Sequence, residues 1–532
     1  MKTRIVILGG GFAGVYTAME LERINSSANE IEVILVNKEN YFVFQPMLPE
    51  IISGSIGILD TVSPLRRLLP KTTIYVRDVE MVDIANKTVT LSHGFRPRPL
   101  VISFDHLVIA VGNVTDFRGL TGLKEHALPF KNLADAIHLR NHVIHLLEEA
   151  AIEEDQDLER QLLTFVIAGG GFSGVEVAAE LNDFVRKAAR HYHGVDEMNI
   201  RVILLHSGKR ILDKEMSEGL SLYAQKILQQ RGVEIKFNSR LQSASPDSAI
   251  LNSGERIPTK TLVSTVPSSP NPIVDLIDLP KEKGKIKVTT ALQVEGTTNI
   301  WAIGDCALIP TVDRSGSCPP TAQYASREGT LTAQNIIASI RGEVLKPFTF
   351  RGLGKMGALG HRNAVAEIFA GIKLSGFLAW FLWRTVYLFK LPGLERKIKV
   401  GIAWALDLLI PTEFVQLKLG TTRGVSQSHF EPGETVFRQG DVGDTLYILL
   451  NGEAEVIREE IRLEQRLALL SAGEFFGEMA LLNEHTRGAT IRCTKAMDVL
   501  CLNKNDFRSL VANLPDLRKS FESVMSSRNI KK

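Results

Sequence analysis

The sequence predicts an α/β chain of two Rossmann-like dinucleotide-binding domains, followed by amphipathic helices and a C-terminal β jelly-roll barrel. Three observations predict it. A strand, a glycine turn and a helix occur together twice, at 4–21 and at 164–181. An aromatic-rich apolar stretch occupies 374–390. Beyond residue 428 the pattern changes to short strands punctuated by glycines. At 532 residues the chain has room for three to four domains of about 150 residues each.

The repeated segments read RIVILGGGFAGVYTAMEL and TFVIAGGGFSGVEVAAEL. Both turns fit G-x-G-x-x-G, with Gly9, Gly11 and Gly14 in the first and Gly169, Gly171 and Gly174 in the second. The first glycine of such a turn makes the sharp bend, and the second lets backbone approach a pyrophosphate. The third lets helix and strand pack closely, while the helix N-terminus offers N–H groups to the phosphates. One such match is what any glycine-rich strand–helix turn would give. Two, each at a strand–helix junction, predict two dinucleotide sites.

Each unit continues into a second strand, at 31–36 and 200–205. A carboxylate commonly ends that strand and bonds the adenosine ribose. Asn37 stands there in the first unit and can still bond a ribose. The second has His206, followed by Ser207, Lys209 and Arg210. Those cations suit a 2′-phosphate, so NADPH and NADH both stay open as donors; a solvated surface loop is the plain alternative.

Two later segments complete a flavin half. The segment 104–112 (FDHLVIAVG) is a strand ending in Gly112, and 299–307 (NIWAIGDCA) is another ending in Gly304-Asp305. A carboxylate at Asp305 suits the ribityl chain of FAD, or simply caps a helix. The first domain is then discontinuous, 1–115 and 290–345, with a nicotinamide-nucleotide domain inserted at 116–289.

With these pieces in place, residues 1–420 resemble the type II NADH dehydrogenases, also called alternative NADH:quinone oxidoreductases. NYFVFQPMLPEIISG at 40–54, LPFKNLADAIHLRNHV at 128–143, PPTAQYASREG at 319–329 and GFLAWFLWRTVYLFKLPG at 376–393 carry the resemblance. It implies hydride transfer from NAD(P)H to FAD and delivery of electrons to a quinone, without proton pumping. Glu176 matches a carboxylate near the nicotinamide, and Gln323 matches the first glutamine of the family's quinone-proximal AQxAxQ motif. Arg327 replaces the second glutamine, and an arginine is able to donate to a quinone oxygen. Structural roles for Glu176, as a first-turn acid, and for Gln323, as a bridge to a neighbouring segment, stand beside these. Thr265-Val266-Pro267 also departs from the pattern. Disulfide reductases and sulfide:quinone reductases need cysteines that this chain lacks before Cys306.

Residues 374–390 and 398–410 are apolar and aromatic, but Arg384 interrupts the first and neither reaches the ~20 residues of a spanning helix. Trp380, Trp383, Tyr387 and Trp404, with Lys373, Lys390, Arg396, Lys397 and Lys399 around them, suit a helix pair lying in a membrane interface, and 346–419 is assigned as a membrane-interface helical region. A homodimer interface or a core beneath the last domain is the alternative.

Residues 420–428 read as a polar linker, and 429–532 as a jelly-roll domain. The segment FFGEMALLNEHTRGATI at 475–491 resembles the phosphate cassette of cyclic-nucleotide-binding domains of the catabolite-activator type. On that resemblance Gly477 opens a phosphate-binding turn, Glu478 accepts from the ribose and Arg487 bonds the cyclic phosphate of cAMP or cGMP. Thr490 lies near base or phosphate, and Thr486 replaces the usual proline. Many such barrels dock partners without ligand. The segment 505–530 reads as a helical lid.

A net charge of +2 disfavours nucleic acid as partner. Four cysteines without CxxC spacing predict neither disulfides nor a metal site, and suit the cytosol. The expected location is peripheral, on the inner face of the cell membrane or another energy-transducing membrane, with quinone as acceptor and cyclic nucleotide as regulator. A flavin-based sensor with little turnover is the rival reading.

Overall fold

The computed structural model describes residues 2–25, 30–94, 98–115, 117, 119–265, 269–313, 316–368, 371–407, 413–417, 425–460, 463–482, 486–504 and 506–507. Two compact units are present: Met1–Val89 with Ser103–Leu417, and Thr90–Ile102 with Lys418–Lys532.

The first unit holds two five-stranded parallel sheets. In the first, the spatial order is Ile300–Ala302, His106–Ile109, Thr3–Leu8, Ile31–Asn37, Thr73–Val76. In the second it is Ala127–Pro129, Thr261–Ser264, Thr164–Ala168, Arg201–Leu205, Val233–Lys236. The central strands are apolar at successive positions, not alternate ones, and Ile5 to Leu8 and Phe165 to Ala168 are buried throughout. Such runs belong to strands covered by helices on both faces. The chain leaves the first sheet after His106–Ile109, builds the second, and returns as Ile300–Ala302 beside the strand it left. Helix Ala322–Arg341 then packs on helix Phe12–Ile24. Gly329 makes that crossing close, since a Cβ there would overlap the carbonyl oxygen of Ala13.

The region 346–419 is only partly helical, which corrects the expectation. An antiparallel sheet of Gly354–Ala358, Ala364–Ile368 and Ile372–Ser375 comes first. Left-handed backbone at Gly360 and Arg362 turns its first hairpin. Helices Gly376–Lys390 and Leu394–Asp407 follow. Their tryptophans are also not where an interfacial pair would put them: Trp380, Trp383 and Trp404 are buried. They point inward because Arg384 does. Its guanidinium lies 4.2 Å from the Trp380 ring and 4.8 Å from the Trp404 ring, and pairs with Glu50 and Asp407 at 3.4 Å each. The outward faces carry Phe377, Leu378, Phe381 and Phe389 on one helix and Leu394, Ile398, Ile402 and Leu406 on the other, all exposed. Among the described residues no helix is long and apolar enough to cross a membrane.

The second unit is an antiparallel sheet of jelly-roll type, dominated by the long strands Thr445–Glu460 and Thr490–Asn503. Its first strand, Val425–Phe430, begins inside the segment expected as linker. Leu449, Phe476, Ile491 and Val499 form its core. Val266-Pro267 and, beyond Phe507, the expected lid helix lie outside the described residues.

Candidate active site

The first glycine turn is built so that only glycine fits. Gly9 has φ +107°, and a Cβ on Gly14 would overlap the carbonyl oxygen of Gly9. In front of Gly11 the space is open. Helix Phe12–Ile24 begins with no side-chain cap and no acid in its first turn, so its N–H groups and dipole are free for an anion. Asn37 braces the turn: its Oδ1 accepts from Gly10 N–H at 2.8 Å and its Nδ2 donates to the Glu39 carbonyl at 2.8 Å. Gly112 and Gly304 both adopt left-handed backbone at strand ends of the same sheet. The Gly304 N–H donates to Glu328 at 2.9 Å. Burial raises the Asp305 carboxyl, against the pull of Lys131 and Lys285. An uncapped helix start, a glycine cradle and a carboxylate across the sheet fit the diphosphate and ribityl parts of FAD.

The second turn repeats the design with different furniture. Gly169 has φ +125°, and a Cβ on Gly174 would overlap the Gly169 carbonyl oxygen. Helix Phe172–Ala189 is likewise uncapped, with no acid in its first turn. His206 packs against Gly170 and is buried; its Nε2 has no hydrogen-bond partner and stands 3.9 Å from Asp213. Lys209 is exposed, whereas Arg210 pairs with Glu218 at 3.3 Å. A buried, unpartnered imidazole nitrogen beside a phosphate-type turn fits a second dinucleotide whose ribose or 2′-phosphate it would meet.

The helices that follow the two turns face one cavity of about 720 Å³ with their first residues. Phe12 and Tyr16 reach it from the first turn, Phe172 and Glu176 from the second, and Gln323 and Arg327 from helix Ala322–Arg341. Tyr387, Phe389 and Lys390 close it on the side of the amphipathic helix. Burial pushes the Glu176 carboxyl up to about 8, although the Ala358 N–H donates to it at 3.0 Å. Gln323 is engaged with backbone, accepting from Leu353 N–H and donating to the Gly354 carbonyl, both at 3.1 Å. Arg327 donates to the Gln323 carbonyl at 2.9 Å and stacks 4.1 Å from the Phe350 ring.

Lys131 escaped sequence reasoning. Its ammonium lines the cavity without a hydrogen-bond partner, and burial pulls it down to about 8. The available signal was its place in the stretch 128–143. Phe12 and Phe172 were also missed, though they hold the same position in the two repeats.

In the second unit, Gly477 has φ +89° and opens the short helix Glu478–Leu482. Glu478 and Arg487 are buried. The Arg487 guanidinium donates to the carbonyls of Gly477 at 2.7 Å and Thr445 at 2.8 Å, and lies 4.1 Å from the Phe437 ring. Its Nε is buried without a partner. Thr490 accepts from Gln439 N–H at 2.8 Å and donates to Glu459 at 2.6 Å.

Residues 3–329 match the family model "Pyridine nucleotide-disulphide oxidoreductase", and residues 427–513 match "Cyclic nucleotide-binding domain". The chain is 33% identical over 411 residues to the demethylphylloquinone reductase NdbB of Synechocystis sp., covering 76% of this chain and 96% of that protein. It is 28% identical over 408 residues to the type II NADH:quinone oxidoreductase of Staphylococcus epidermidis, covering 75% and 98%. In fold it is similar to NDH2 from Plasmodium falciparum in complex with NADH, with TM-score 0.72 and 19% identity, over 78% of this chain and all of that one. The chain thus belongs to the pyridine nucleotide-disulphide oxidoreductase family and, within it, to the type II NADH:quinone oxidoreductases, with a cyclic nucleotide-binding domain following the catalytic part.

Proposed function

We propose that the chain oxidises NADH or NADPH through bound FAD and reduces a quinone at a membrane surface, without proton pumping and under control of a cyclic nucleotide. One observation carries this reading: a single cavity joins the helix starts after both glycine turns to the amphipathic helix whose outer face is apolar and exposed. When bound, FAD would supply the redox chemistry that links a nicotinamide hydride donor to a quinone acceptor.

The protein's own groups would do the rest. Gly9, Gly11 and Gly14 would hold the FAD diphosphate, with Asn37, Gly112, Gly304 and Asp305 completing the site. Gly169, Gly171, Gly174 and His206 would hold the nicotinamide nucleotide. Lys131, unpartnered in the cavity wall, would balance the negative charge of the reduced flavin. Glu176 would exchange a proton with the bound reactants. Gln323 would hold the cavity wall in place, and Arg327 would donate to a quinone oxygen. The domains in this reading are 1–115 with 290–345 for FAD, 116–289 for NAD(P)H, 346–419 for the membrane-facing region and 429–532 for the regulatory barrel, the last joined by the strand Val425–Phe430 that begins ahead of it.

Phe377, Phe381 and Phe389 with Leu394, Ile398 and Ile402 make an apolar face suited to one leaflet, which supports peripheral attachment; the reading puts it on the inner face of the cell membrane or another energy-transducing membrane. In the barrel, the unpartnered Arg487 Nε and the Gly477 turn favour the phosphate of cAMP or cGMP. A second reading, a docking barrel without ligand, has its own support: Arg487 is already bonded to two carbonyls and Thr490 to Gln439 and Glu459.

The test is anaerobic stopped-flow reduction of the bound flavin by NADH and by NADPH, with and without cAMP or cGMP, followed by a short-chain quinone. Bleaching, then quinone-driven reoxidation whose rate a cyclic nucleotide changes, is the expected result. No bleaching by either donor overturns the enzyme reading. Turnover indifferent to both cyclic nucleotides favours the docking barrel.

A further inference from the structure

Quinone reduction by NADH needs one proton from outside. NADH, H⁺ and quinone give NAD⁺ and quinol; the nicotinamide supplies two electrons and one proton, and solvent supplies the other. The cavity proposed for the quinone is walled largely by apolar side chains, among them Phe12, Phe44, Leu382, Val386 and Phe389. A route through the protein to Glu176 would deliver the second proton while the reactants fill that cavity.

Directly behind Glu176 lies a second, much smaller cavity of about 10 Å³, lined by Glu50, Glu180, Asp183, His361, Trp383 and Arg384 among others. That volume matches about one water. Ala358 separates the two cavities: it lines the small one, and its N–H donates to Glu176 at 3.0 Å. Glu176 and Glu180 stand one turn apart on the same face of helix Phe172–Ala189. Two donors in the small cavity's wall, Trp383 Nε1 and Arg384 Nε, are buried without a hydrogen-bond partner. A water there would accept from both and donate to the carboxyls opposite, which gives it the two to four polar partners that a buried water requires.

We propose that Glu180 and a water held between it and Glu50 carry the solvent proton from the Asp183–His361 edge to Glu176; the proposal rests on the quinone reading above. At the outer end, Asp183 and His361 are only partly buried. There Asp183 accepts from His361 N–H at 2.8 Å and pairs with Arg231 at 2.9 Å, and Lys187 lines the same cavity. At the inner end, Glu50 accepts from Trp404 Nε1 at 3.0 Å and pairs with Arg384, which also pairs with Asp407. The Ser53 hydroxyl, which donates to the Glu50 backbone carbonyl at 3.1 Å, lies beside Glu180. Burial and neighbouring carboxylates raise Glu180 to about 8 and Glu50 to about 7, close to Glu176 at about 8. Buried carboxyls raised in this direction are suited to hold a proton and pass it on. In each turnover an O–H bond forms on the quinone as one breaks at Glu176; Glu180 restores it, the water restores Glu180, and solvent restores the water. No electron moves along the path.

The FAD-loaded full chain is reduced with NADH and mixed with a short-chain quinone, for wild type, Glu180→Gln and Trp383→Phe. The second variant removes a donor to the water and keeps every carboxyl. Glu180→Gln is expected to slow reoxidation by about 10- to 100-fold, with a larger solvent deuterium isotope effect. Trp383→Phe shifts both in the same direction. Reoxidation by ferricyanide, which takes electrons without protons, is expected to keep its rate. Infrared spectra of the resting protein are expected to contain protonated-carboxyl absorption at neutral pH, of which Glu180→Gln removes a part and leaves that of Glu176. Wild-type quinone rates and isotope effects in both variants overturn the proposal, as does carboxyl absorption that Glu180→Gln leaves unchanged. A wild-type flavin that quinone does not reoxidise overturns the functional reading, and this route with it, before any variant is compared.

Discussion

The two copies of the glycine motif place the same residue in opposite circumstances. Gly9 corresponds to Gly169, Phe12 to Phe172, Tyr16 to Glu176 and Glu20 to Glu180. The two phenylalanines face the same cavity, and so do Tyr16 and Glu176. The glutamates part ways. Glu20 bonds Arg23 at 2.7 Å and Gln334 at 3.0 Å, and the arginine bond holds its carboxyl below the ordinary range. Glu180 is buried and raised to about 8. The covering elements make the difference. Helix Phe12–Ile24 lies under helix Ala322–Arg341, which brings Gln334, whereas helix Phe172–Ala189 meets the segment Leu48–Ser53, which brings Glu50 and apolar bulk. A shared motif sets the backbone; what packs on its far face sets the chemistry.

The sharpest way to break the comparison is to spoil each turn in the same manner. A methyl on Gly14 or on Gly174 collides with the carbonyl oxygen that opens its own turn. Gly14→Ala is expected to purify without flavin and hence without any activity. Gly174→Ala is expected to keep its flavin absorbance while NADH no longer bleaches it. Equal flavin loss from both would refute the division of labour between the turns. Next in size is the pair Tyr16 and Glu176. With its carboxyl raised to about 8, Glu176 is protonated at neutral pH and able to donate. Quinone-driven reoxidation should fall as pH rises through about 8. Glu176→Gln should slow it by about 10²-fold and flatten that profile. Tyr16→Phe should do neither, and stopped-flow traces across pH compare the two directly.

The turns were legible because their geometry admits one residue type, so glycine spacing alone announces them. Asp305 was legible for a related reason: Gly304, with φ +70°, marks the strand end that presents it. The charges behind the cavity were not. Arg384 reads as an interruption in an apolar helix and Glu50 as a lone acid in an apolar stretch. Their pairing joins residues far apart in sequence, which local periodicity does not encode. The same pairing turned Trp380, Trp383 and Trp404 inward, against the interfacial reading of their spacing. Two isolated opposite charges, each within an apolar run, were the signal available. Arg487 was legible as a residue, but its bonds to the Gly477 and Thr445 carbonyls depend on how the barrel closes.

A smaller effect separates the ends of the two second strands. Asn37 is bonded into its turn, whereas the Nε2 of His206 is buried and unpartnered. His206→Glu would give a ribose an acceptor and repel a 2′-phosphate. Its expected effect is a shift in the NADH-to-NADPH preference of about tenfold toward NADH, about 1.4 kcal/mol. An unchanged ratio of kcat/KM values would mean that this position does not read the ribose.

The smallest effect falls on stability, where Glu20 and Glu180 should act with opposite sign. An unfolded glutamate releases its proton near 4.5, while folded Glu180 holds its own up to about 8. Its contribution is full below 4.5 and drains away as pH rises to about 8, because the folded chain then keeps a proton that the unfolded chain has shed. Glu20, held below its ordinary value, contributes above the unfolded value and loses that contribution as pH falls. Glu180→Gln should therefore flatten the decline of melting temperature on the alkaline side. Glu20→Gln should lower the melting temperature near neutrality by no more than about 1–2 °C, and salt should shrink even that, since Arg23 is exposed. Melting curves of both variants across pH decide the matter: if they run parallel, burial on the far face is not what sets the two motifs apart.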